Sequence, residues 1–214
     1  MDQPLDAIAL RVLGSLIEKE STTPDNYPLT INALVAACNQ STNREPVMSL
    51  DEATIRSALD DLKRSGLVHE VYRSDSRAKR LRHVLAEKLS LHPAEMALLC
   101  VLMLRGPQTT GEIRTRSARM FEFRDLKHVE VTLDALMTLS TPLVAQLPRQ
   151  PGQKEVRYAQ LLGEEAPVIA VEPKRTHDEA SADRLVALEQ EVDTLRSQLA
   201  ELRTTFEQFR QQFQ

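Results

Sequence analysis

Apolar side chains near the start of the chain recur at steps of three and four. Leu5, Ile8, Ala9, Val12, Leu13, Leu16 and Ile17 share one face and predict an amphipathic helix ending near Glu20. Thr22-Thr23-Pro24 stops it, because proline cannot continue the hydrogen-bond ladder. Thr30 is placed to cap a second, short helix that carries Ile31, Leu34, Val35 and Cys38. After the polar loop from Asn39 to Pro46, Ser49 and Glu52 match the S-x-x-E capping box. The third helix then runs to about Ser65, with Ile55, Leu59 and Leu62 inward and Gly66 as its stop. From Leu67 to Arg73 the pattern alternates as a strand. Ser74 to Lys79 is a turn, and Arg80 to Leu85 is the returning strand. Three helices followed by a hairpin is the winged-helix order, with the third helix in the recognition position and the hairpin as the wing.

The order then repeats. Ser90 is expected to cap a helix from His92 to Arg105 that is apolar nearly all round, hence deeply buried, and Gly106-Pro107 ends it. Thr109 or Thr110 starts a short helix through Ile113 and Ser117, and Asp125 starts a third with Val129, Leu133, Leu136 and Leu139. Leu143–Leu147 and Val156–Leu161 bracket a turn from Pro148 to Glu155. Leu59-Asp60-Asp61-Leu62 and Leu67-Val68 answer Leu133-Asp134-Ala135-Leu136 and Leu143-Val144, so the reading is an internal duplication.

Residues 164–183 lack periodicity and read as a linker. In the segment 184–214 the pattern is strict. Leu185, Leu188, Val192, Leu195, Leu199, Leu202, Phe206, Phe209 and Phe213 alternate steps of three and four, as the a and d positions of a coiled coil do. In a parallel pair Arg184 would meet Glu189 of the partner helix, and Glu191 would meet Arg196. That seam predicts a homodimer, with packing on the protein's own body as the alternative. The fold class expected is therefore mainly α with small β-hairpins. It consists of winged-helix domains at 1–89 and 90–163, the linker, and a C-terminal coiled-coil helix.

Composition narrows the chemistry. The chain has 214 residues, no Trp and only 6 Gly, and it holds neither of the glycine-rich phosphate-loop patterns. Its two cysteines, Cys38 and Cys100, fall on apolar faces and read as core thiols. None of its 5 His sits at zinc-ligand spacing from Cys, Asp or Glu. No Ser/His/Asp order or paired-carboxylate cleft is visible, so no catalytic, metal or cofactor site is expected. No apolar run reaches the length of a membrane span, and the N-terminus is acidic where a signal peptide is basic. A cytoplasmic protein that is not an enzyme is expected.

The formal net charge is −4, but it is uneven. The first 163 residues hold 21 basic and 20 acidic side chains, and the remainder hold 6 and 11. Candidate nucleic-acid contacts fall in four places. Asn43 and Arg44 precede the third helix, where amides and a guanidinium reach phosphates or base edges. The alternative is that the loop bonds its own backbone and that Arg44 pairs with Glu45 or Asp51. Arg56 lies outward on the third helix, but Asp51, Glu52, Asp60 and Asp61 share that surface and would repel phosphate. The wing carries Arg73, Arg77, Lys79, Arg80 and Arg82 against Asp75. The second unit carries Arg114, Arg116 and Arg119, with Arg124 and Lys127 nearby, open to pairing with Glu112, Glu122 or Asp125.

Several segments, above all Cys38-Asn39-Gln40-Ser41-Thr42-Asn43-Arg44-Glu45-Pro46-Val47, resemble the YceH family of uncharacterised bacterial proteins. Leu10–Glu20, Thr22–Leu29, Leu104–Thr109, Gly111–Arg114 and Arg119–Phe123 agree, so the resemblance covers about residues 5–163. It implies tandem winged-helix domains and, by analogy of fold, a DNA-binding regulator. Double-stranded DNA bound by a dimer is the expected partner. A protein-interaction adaptor using the same surfaces is the rival reading.

Overall fold

In the computed structural model the described residues are 4–72, 78–149 and 153–164, and all belong to one compact unit within 1–169. The first helix, α1 (Ala7–Thr22), is capped by Asp6, whose carboxylate accepts from the Ala9 N–H. A 3-10 turn (Pro24–Asn26) leads to α2 (Ile31–Cys38), capped by Thr30 as its position predicted. The third helix is α3 (Glu52–Arg64). Its cap is Asp51, which accepts from Thr54 N–H, and not the expected Ser49. Gly66, at φ +63°, turns the chain into β1 (Val68–Tyr72), which pairs antiparallel with β2 (Lys79–His83). The returning strand stops short of Leu85 because the chain winds there into a short helix, α4 (Leu85–Leu89). Ser90 closes α4 at a positive φ, so it does not cap the next helix.

The helix α5 (Pro93–Arg105) begins at His92 instead, whose N–H donates to the Glu95 carboxylate. Every side chain from Met96 to Leu104 is buried, as the all-round apolar pattern predicted. The capping box of Thr109 and Glu112 opens α6 (Thr110–Ser117), and Asp125 caps α7 (Leu126–Met137). β3 (Val144–Gln146) and β4 (Tyr158–Gln160) form a second antiparallel hairpin. In each half the residue before the short helix's cap bridges the second hairpin strand: Leu29 with Leu81, and Gln108 with Tyr158. The result is mainly helical with two small hairpins, an order compatible with the winged-helix class.

Buried residues on both sides of residue 90 join one core. α1 packs against α5 as well as α2 and α3, and the close approach sits at Gly14. A Cβ there would lie 2.9 Å from Leu104 Cδ2, and the Cys100 thiol donates to the Gly14 carbonyl at 3.3 Å. Both cysteines are buried and unpaired. At the chain's start Leu5 pairs with the segment at Gly163 through hydrogen bonds of 2.8 and 2.9 Å. No helix among the described residues is long and apolar enough to cross a membrane. Nearly all of the linker, the coiled-coil seam from Leu185 to Phe213, and the wing tip with Arg73 and Arg77 lie outside the described residues.

Candidate nucleic-acid interface

Arg44 is inside the molecule. Its residue is 5% exposed, and its guanidinium grips Glu18 of α1 with both ends, at 2.6 and 3.2 Å. It also donates to the carbonyls of Ala37 and Asn43. The partner is neither Glu45 nor Asp51, because burial requires an acid already in the core, and α1 supplies one. Burial alone would raise the Glu18 pKa. The hydrogen bond and charge of Arg44, with help from Lys19, outweigh it and hold this carboxyl below the usual range. Arg44 therefore presents no charge to a partner.

The outward face of α3 neutralises itself. Arg56 bonds Glu52 at 2.7 Å, Arg64 bonds Asp61, and Lys63 sits between Asp60 and Glu70 at 2.8 and 2.9 Å. In the described strands of the first hairpin Lys79 and Arg82 are likewise paired with acids, while Arg80 is half-buried and bonds a carbonyl. Lys79 reaches Glu70 at 2.9 Å, Arg82 meets Glu87, and Arg80 donates to the Pro28 carbonyl at 3.0 Å.

The second half differs. Arg114 is exposed, and among the described residues it donates only to the carbonyls of Phe123 and Arg124. Arg119 and Arg124 are exposed, and among the described residues neither has a carboxylate partner. Arg116 is shared between Gln108 and Glu112, the latter at 3.4 Å. The fold brings Asn43, Arg105, Arg116 and Arg119 to one small cleft beside Glu18 and Met120. Asn43, held at φ +60°, accepts there from Arg105. Burial and then the charge of Arg116 push the Arg105 pKa down, which reports cations crowded together. Sequence patterning does not single out Arg105, because it ends an apolar helix, where a cation ordinarily serves the helix dipole. Among the described residues, no three His, Cys, Asp or Glu side chains converge as a metal site would require.

A family described as "Protein of unknown function, DUF480" matches residues 5–153. The chain belongs to that family. Relatives similar along their whole length include UPF0502 proteins of Pelobacter propionicus, 47% identical, and Geobacter sulfurreducens, 48% identical, each with all of both chains covered. A UPF0502 protein of Azoarcus sp. is 49% identical across 98% of this chain and 94% of its own. The match spans both helical triads and the first hairpin, so the arrangement of arginines lies within the family's extent.

Proposed function

We propose that this is a DNA-binding protein of regulatory type, built from two winged-helix units and dimeric through its C-terminal seam. The observation that carries the reading is the set of exposed arginines Arg114, Arg119 and Arg124, none of which has an acid partner among the described residues. It runs from α6, the second helix of its unit, into the connection to the third, beside the end of the helix that enters a groove in helix-turn-helix proteins. Contacts from this set go to phosphate, so binding is sequence-tolerant and salt-dependent. The base-reading role does not fall to α3, whose cations are held by its own acids. The test is binding of random genomic fragments by the whole protein at two salt concentrations. Affinity should drop steeply at the higher salt, and no binding at the lower salt would refute the reading.

A second reading, the protein-interaction adaptor, is favoured by α7. In the recognition position that helix exposes Leu126 and Val131 together with Asp134, a surface suited to protein and not to phosphate. For the dimer, burying each seam side chain is worth roughly 1.5–3 kcal/mol. Full-length protein should sediment as a dimer, and a chain ending near Ala182 as a monomer. A truncated chain that stays dimeric would move the interface to the body.

A further inference from the structure

Behind the surface arginines, α1 carries a second buried guanidinium. Arg11 is 1% exposed. Its Nη1 donates to the Cys38 carbonyl at 3.1 Å and its Nη2 to the Pro46 carbonyl, while its Nε–H has no partner. Among the described residues no carboxylate pairs with it. Glu18 is already matched by Arg44, so the positive charge of Arg11 is left over. Burial, and then the Arg44 charge, push its pKa down. Arginine nonetheless stays protonated in proteins. A buried charge lacking its counter-ion is unfavourable unless something supplies one.

Arg11 forms part of the wall of a cavity of about 350 Å³, within the size range of small-molecule sites. Leu10, Met48, Leu102, Met103 and Ala159 supply apolar walls, and Gln160 adds an amide. The acids on the wall, Glu45 and Glu164, are exposed. We propose that this cavity binds a small monocarboxylate with an apolar body, its carboxylate on Arg11 and its body against the aliphatic wall. One guanidinium supplies the charge to match a single carboxylate. The exposed Glu45 and Glu164 disfavour a dianion such as a phosphate ester. A bound acid would touch Pro46 and Met48, on the loop that carries Asn43 to the arginine cleft. That gives the ligand a physical route to the proposed DNA surface, although the site does not depend on DNA binding.

The test uses the full chain. Hexanoate, octanoate and benzoate are titrated calorimetrically, each beside its neutral twin: hexanol, octanol and benzyl alcohol. At least one acid should bind about tenfold more tightly than its alcohol. Arg11→Met should abolish that preference. Ala7→Trp alters an exposed residue on the cavity wall and leaves Arg11 in place. It should weaken acid and alcohol alike while the melting temperature holds, which keeps the test decisive if Arg11→Met does not fold. Failure of every acid to bind, equal binding of acid and alcohol, or undiminished acid binding in Ala7→Trp would each overturn the proposal.

Discussion

Between α2 and α3 the chain carries Arg44, and between α6 and α7 it carries Arg119 and Arg124. The first is drawn into the core onto Glu18, while the other two face solvent. The cause lies in the first helix of each half. α1 offers a buried polar stripe, Arg11, Ser15 and Glu18, at one-turn spacing. α5 offers none, since Met96 to Leu104 are all aliphatic or sulfur-bearing. A cation beside α5 finds no buried acid and stays outside. The same residue type between the same two helices thus becomes structural in one half and available in the other. What decides is the partner that the opposing helix can present.

The largest test of this difference removes the buried cation. Arg44→Ala strands Glu18 inside the core and should lower stability by about 3–5 kcal/mol in urea unfolding. Arg119→Ala should change it by less than about 0.5 kcal/mol. Similar effects from both would break the comparison. A smaller effect sharpens it through pH. Because the native Glu18 pKa is depressed, its contribution is complete above the unfolded-state value of about 4.3. It is lost as pH falls through the lower native value. The stability gap between the natural protein and Glu18→Gln should therefore narrow below about pH 4. A gap that stays constant with pH would mean that the carboxylate charge does not hold Arg44.

Much of this architecture is written in the periodicity. The three helices of each half, both hairpins, the Thr30 and Asp125 caps and the burial of α5 follow from spacing and side-chain chemistry alone, whereas the choice of Thr109 over Thr110 as the cap of α6 comes from the structure. The features that escape it depend on contacts distant in sequence or on local geometry. Asp51 caps α3 because its carboxylate reaches Thr54 N–H, and a pattern match cannot choose between it and Ser49. The pairing of Leu5 with Gly163 and the crossing of α1 over α5 at Gly14 join opposite ends of the unit. Arg11, Ser15 and Glu18 stand at helical spacing, but a helical period reveals one buried face, and only α5 together with the loop after α2 buries the other. The candidate arginines are legible as charge. Their pairing is not, because an arginine near several acids in sequence takes the one that the fold brings to it.

The most direct measurement follows binding to a random-sequence duplex across a salt series. Arg119→Glu with Arg124→Glu is compared with Lys79→Glu with Arg80→Glu. The second-half pair should weaken binding on every sequence and flatten the log–log salt slope by roughly 0.9 for each phosphate no longer neutralised. The hairpin pair should leave the slope unchanged, because Lys79 is held by Glu70 and Arg80 by the Pro28 carbonyl. A slope flattened by the hairpin pair and untouched by Arg119 and Arg124 would contradict the claim that the unpaired arginines of the second half carry the interface.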